Sequence, residues 1–193
     1  MLYRFYLRLQ HIFYRICTKL VFGETGKKSV VIAPMRVLGG GNIILGDNVS
    51  ILNEARLEAI TGHGNETFNG KLIIGSGTSI EQNCHIIAAD ELTIGERCMF
   101  SAYIYIADCN HHYAIGQDIH KTGLEIKKTK IGDDVFIGIG AKIMPGVTIG
   151  NNCIIGANSV VTKDIPNYCI AAGIPAKIIK KYNFQTSNWE KIS

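Results

Sequence analysis

Hydrophobic positions recur with a period of six through the C-terminal half of the chain. Residues 131–164 read IGDDVF-IGIGAK-IMPGVT-IGNNCI-IGANSV-VTKD, and each block opens on an aliphatic residue: Ile131, Ile137, Ile143, Ile149, Ile155 and Val161. Glycine follows four of them, and four places after each aliphatic residue stands a small or branched one: Val135, Ala141, Val147, Cys153 and Ser159. This period fits neither a 3.6-residue helix nor a plain strand alternation. It fits a short strand plus a tight turn, repeated, with Gly or Asn where the backbone needs a positive φ. Stacked turns of this kind build a parallel β-helix, in which three blocks of six close one three-sided coil.

The same pattern runs upstream with interruptions. It begins at Leu45 (LGDNVS-ILNEAR-LEAITG), breaks over residues 61–73, resumes at Ile74 and resets at Ile94. A second break, residues 112–130, returns to the repeat at Ile131. The chain thus supplies about five coils, with two loops thrown out from them. Residues 23–44 read as an entry turn and first strands. Loops on a rigid scaffold cost little and often carry function. The repeat domain spans 23–181. The tail, 182–193, holds the only tryptophan, Trp189, and reads as a short terminal helix if as anything.

Residues 1–22, MLYRFYLRLQHIFYRICTKLVF, follow a different period. Arg4, Arg8, His11, Arg15 and Lys19 are three or four apart, which puts them on one face of a helix. The other positions are largely Leu, Tyr, Phe and Ile. The arginines interrupt any membrane-spanning or signal-peptide core. Two readings stand: a helix packed on protein, or an interfacial helix on an anionic membrane.

Composition narrows the class. With 47% hydrophobic residues and 21 glycines, the chain suits a turn-dense β protein. A net charge of +4 is too weak to argue for nucleic acid, and no basic run is interleaved with aromatics. The six cysteines form no CxxC pair; Cys84, Cys98 and Cys153 occupy small-residue positions of the repeat and read as buried hydrophobes in a reducing, cytoplasmic setting.

The repeats, the pair Asn110-His111 ahead of the second loop, and the ending VVTKDIPNYCIAAGIPAKIIK at 160–180 resemble the hexapeptide-repeat acyltransferases. The sugar O-acetyltransferases are the most similar branch: galactoside and maltose enzymes and those of polysaccharide and lipopolysaccharide clusters. The resemblance covers residues 40–181. It implies an all-β, left-handed parallel β-helix, a homotrimer with sites between subunits, acetyl-CoA as donor, and a sugar, oligosaccharide or lipid-linked saccharide as acceptor. No metal is implied.

The resemblance also assigns residues. His111 matches the catalytic histidine, and imidazole suits a base at neutral pH; His112 is weaker, because neighbours on an extended chain point apart. Glu81 stands where the galactoside enzymes hold the acceptor with Asn, and together with Asn110 and Asp108 it would bind the acceptor or orient the base. Ile139 replaces a cofactor-binding Ser, so an oxyanion contact falls to backbone, most simply the N–H of Gly140 or of a neighbour. Ala157 matches a backbone contact to the pantetheine arm. Thr162 and Lys163 match contacts at the polar end of the cofactor, and Lys177 and Lys180 match basic residues near its phosphates, where Arg is commoner. N-acetylation of an amino sugar is the alternative reaction. A zinc lyase on the same coil needs two histidines five residues apart, and 63, 85, 111, 112 and 120 give no such pair. A non-enzymatic scaffold is the remaining class.

Overall fold

A computed structural model describes residues 2–118 and 121–192, with backbone alone for residues 2–5. Met1, Ile119, His120 and Ser193, and the side chain of Arg4, lie outside the described residues. The expected coil is present, and it is longer than the repeat pattern suggested. Three sheets of six, nine and six strands run along it. The first stacks Glu24–Thr25, Ile43–Leu45, Lys71–Ile74, Glu91–Ile94, Lys130–Ile131 and Thr148–Ile149. The second begins with Val30–Val31, Ser50–Ile51, Ser79–Ile80, Met99–Phe100, Phe136–Ile137 and Ile154–Ile155. The third stacks Arg36–Leu38, Arg56–Ala59, His85–Ala88, Tyr105–Ala107, Lys142–Ile143 and Val160–Val161. Every pairing among these strands is parallel. Each turn gives one strand to each sheet, so six turns are complete rather than five. The extra turn is the first one, over residues 24–38, where the six-residue spacing is too irregular to stand out.

The register explains the period. Leu57, Ile86, Ile106, Ile143 and Val161 are successive partners in the third sheet, and all are fully buried. Ile51, Ile80, Phe100, Ile137 and Ile155 form the matching column of the second sheet. The small-residue positions fill the corners: Ala55, Cys84, Cys98, Ala141, Cys153 and Ser159 are buried. All six cysteines are free thiols.

The turns need a left-handed backbone, and not only at Gly and Asn. Asn83, Arg97, Tyr103, Asn152 and Asn158 have φ between 54° and 62°. A bulky side chain there is strained. The strain is offset because each such residue donates its N–H to the turn beneath. Tyr103 N–H bonds to Gln82 O at 3.1 Å, and Asn158 N–H to Ile139 O at 2.8 Å.

The N-terminal helix α1, Leu2–Val21, packs its C-terminal end on the first coil. Buried Thr18 accepts the Val31 N–H at 2.9 Å and donates to Tyr14 O, while Phe22 joins the core. The rest of the helix leaves an apolar stripe bare: Tyr6, Leu9, Phe13, Ile16 and Leu20 are each more than half exposed. At the other end the tail is not helical. Strands Cys169–Gly173, Ala176–Asn183 and Asn188–Lys191 continue the second sheet, the last two antiparallel, and Tyr182 packs edge-on against Trp189. A short alternation, too irregular to read as a strand from sequence, thus becomes one by pairing with a preformed edge.

Truncating one inward residue should cost what a cavity costs. Ile106→Ala is expected to lower stability by about 2–5 kcal/mol in urea denaturation, whereas Met99→Ala, on the exposed side of its strand, should change it by about 0.5 kcal/mol or less.

Candidate active site

Both loops leave the coil at the corner between the third and first sheets. The first folds as a small hairpin, Gly62–His63 paired with Glu66–Thr67, and the chain is back in the sheet at Lys71. The second leaves as an antiparallel arm, Cys109–His111 against Leu124–Ile126. The two lean on each other: a Cβ on Gly123 would collide with the Glu66 carboxylate. Between them and the outer surface of the third sheet lies a cleft of about 310 Å³. His111 and Asn110 line it from the arm, His63 from the hairpin, and Arg36, Arg56, Glu58 and Tyr105 from the sheet.

His111 is exposed on the arm, and its ring meets that of His63 edge-on with centroids 4.8 Å apart. Asp108 is fully buried at the base of the arm, where its two oxygens accept the N–H groups of Ala89 and Asp90 at 2.7 and 2.9 Å. Burial raises its pKa, and those two bonds oppose the rise. The carboxylate is thus tied to the backbone of the turn beneath, where the loop leaves the coil. Burial, and next the charge of Asp108, push the Cys109 thiol up to about 12, so it is protonated at neutral pH and is no nucleophile.

Glu58 was missed from the sequence. It is buried, accepts a two-pronged contact from Arg56 at 2.8 and 2.9 Å, and lies 3.0 Å from Arg36 Nε. In the repeat it is just one outward position of LEAITG; only the register, which sets Arg36 beside Arg56, reveals the cluster.

The remaining assigned residues are spread out. Glu81, Ile139, Gly140 and Ala157 sit at the corner between the second and third sheets, across the third sheet from His111. Glu81 is exposed and does not line the cleft. The Gly140 N–H is already given to Ala102 O at 3.0 Å, which corrects the expectation that it is free for an oxyanion. Among the described residues the N–H groups of Ile139 and Ala157 carry no such bond; they stand on successive turns, linked by the bond from Asn158 N–H to Ile139 O. Thr162 and Lys163 are exposed at the corner of His111, two turns further on. Lys177 and Lys180 lie on the antiparallel strand Ala176–Asn183. One chain does not bring these groups together.

Residues 128–163 match the family profile described as bacterial transferase hexapeptide (six repeats). WbbJ of Escherichia coli (strain K12), which carries the provisional name of a lipopolysaccharide biosynthesis O-acetyl transferase, is 31% identical over 191 residues, covering 95% of this chain and 88% of that protein. This chain belongs to the hexapeptide-repeat acetyltransferases. Their hexapeptide coil is a left-handed parallel β-helix, the hand that the sequence resemblance implied. A maltose O-acetyltransferase from Clostridium difficile 630 shares the fold with a TM-score of 0.56 and 30% identity, over 85% of this chain and 72% of that one. The galactoside O-acetyltransferase of Escherichia coli (strain K12) is 33% identical, but the match spans 61% of this chain and 57% of that enzyme.

The burial of the thiols gives a direct test of the site's chemistry. An alkylating reagent at pH 8 is expected to label at most Cys17 in the native protein and all six cysteines in denaturant, read by mass. Fast native labelling of Cys109 would reopen a covalent acyl-cysteine route.

Proposed function

We propose that this hexapeptide-repeat acetyltransferase moves an acetyl group from acetyl-CoA to a sugar hydroxyl, by direct transfer, with His111 as general base. The observation that carries the reading is His111 held at the mouth of a cleft by a hairpin arm, on a chain whose relatives are named as sugar O-acetyltransferases. A ring nitrogen of His111 takes the hydroxyl proton as the sugar oxygen bonds to the acetyl carbon, and the carbon–sulfur bond breaks. Acetyl-CoA supplies the thioester. The proton held on His111 is then available to the departing thiolate.

The corner opposite suits the donor. The unpaired N–H groups of Ile139 and Ala157 offer two backbone donors in a row. That is what an extended amide-bearing arm needs, and Ile139 N–H would stabilise charge on the thioester oxygen. Lys163, Lys177 and Lys180 are the basic residues for its phosphates. Because His111 and Ile139 flank opposite sides of one sheet, a complete site takes its base from one copy and its donor corner from a neighbour. A homotrimer, in which each chain offers both sides, meets that need. Asn110 beside His111 would hold the acceptor, and Glu81 would reach it from the neighbouring copy.

His111→Ala should lower kcat by on the order of 10²–10⁴-fold with coenzyme A binding intact. Co-expression of His111→Ala chains with Ala157→Trp chains, each inactive alone, should restore turnover through mixed sites. Near-normal turnover in the first variant excludes the base, and no restoration excludes the shared site.

The bare stripe of α1 lies beside Arg8, Arg15 and Lys19, an arrangement suited to peripheral binding on an anionic membrane carrying a lipid-linked acceptor. The described helix is not long and apolar enough to cross one. The full chain is expected to sediment with anionic phospholipid vesicles. The pair Arg8→Glu and Arg15→Glu should release it at moderate salt, since each basic residue contributes about 1 kcal/mol at such a surface. A chain that ignores vesicles leaves the stripe as a protein contact.

A further inference from the structure

The floor of the cleft carries more positive charge than its own architecture uses. Arg36 and Arg56 are register partners on adjacent strands of the third sheet, roughly 4.8 Å apart. Both point outward beside Glu58, the only carboxylate lining the cleft among the described residues. Arg56 alone satisfies Glu58, engaging both carboxylate oxygens through two nitrogens. Arg36 is surplus to that pair. Its Nε is 3.0 Å from Glu58 Oε1, no protein hydrogen bond fixes its guanidinium among the described residues, and its side chain is 57% exposed. Two guanidinium groups against one carboxylate leave one net positive charge facing the cleft. A purely structural ion pair needs no second arginine.

A second observation points to a missing partner. His63 Nε2 is buried in the cleft wall with no hydrogen-bond partner among the described residues. A buried polar nitrogen in that state is unfavourable and marks a place where an incoming polar group is favoured. His63 touches His111, so an unsatisfied ring nitrogen and a spare guanidinium line the same cleft as the base.

We propose that Arg36, backed by the Arg56–Glu58 pair, is an anion subsite, and that the acceptor carries a carboxylate or phosphate group close to the hydroxyl presented to His111. This deepens the acetyltransferase reading and rests on it. Guanidinium binds such groups through a planar fork, and Arg36 has its terminal nitrogens to offer: it lies beside Glu58 through Nε, while Arg56 makes the hydrogen bonds to that carboxylate. The same chemistry is offered by a uronic acid and by a sugar phosphate or lipid-linked phosphate.

The test uses the full chain with coenzyme A at saturation, so that the donor's own phosphate sites are filled. Imidazole resonances of His63 and His111 are followed while inorganic phosphate, glucuronate or glucose is added. Phosphate or glucuronate should shift both histidines saturably, glucose should not, and Arg36→Gln should weaken the anion at least tenfold. Arg36→Lys, which keeps the charge and loses the fork, should fall between. Whichever anion binds more tightly identifies the source. Because Arg56 still holds Glu58, Arg36→Gln should fold normally, as a thermal melt checks. If neither anion shifts the histidines, if glucose shifts them equally, or if Arg36→Gln binds as the parent does, the subsite is overturned. Failure of coenzyme A to bind in the same samples would instead remove the acetyltransferase reading, while the anion titration still reads the cleft.

Discussion

Burial of one aliphatic side chain in every six residues is the constraint on which this molecule depends. Each turn contributes three such residues, and the turn above and below covers each of them, so no turn is stable alone. The backbone must therefore bend at a fixed interval. That requirement accounts for Tyr103 and Arg97 in a conformation that side chains of their size usually avoid. The bend is held by a hydrogen bond to the turn beneath, so the same stacking that buries the core also fixes the corners.

Strict stacking has a second effect. Outward residues are aligned too, and residues far apart in sequence become neighbours in a column: Arg36, Arg56, His85, Tyr105 and Lys142 succeed one another on the third sheet. Burial and then the nearby Arg56 hold the His85 pKa below its ordinary value, so the column's positive charge at neutral pH comes from its arginines and lysine. The charge of the cleft is thus written down the coil, while the loops that leave at one corner bring His63, Asn110 and His111 to it.

Much of this was legible in the sequence. The period gave the inward columns from Leu45 onward, the corner cysteines and both loops, because a buried position tolerates only a few residue types. His111 stood out through its motif context. What sequence could not show was anything set by register between turns. Glu58 and Arg36 are unremarkable outward residues until the register sets Arg36 beside Arg56 and both against Glu58. The fate of the Gly140 N–H depends on a carbonyl of Ala102, one turn below, and Asp108 is committed to the backbone at Ala89 and Asp90. The strand Asn188–Lys191 was unreadable because a strand that short borrows its order from the edge it joins.

That borrowed edge has a wider consequence. A parallel coil ends in open rows of amide and carbonyl groups, which invite another chain to continue the stack into a fibre. Here the first turn lies under the end of α1, whose Thr18 occupies the Val31 N–H. At the far end the antiparallel strands reverse the chain and finish the second sheet on the polar segment Asn188–Lys191. The second sheet is therefore closed to further strands at its first turn by a side chain and at its last by a reversal of the chain, two different devices for one hazard.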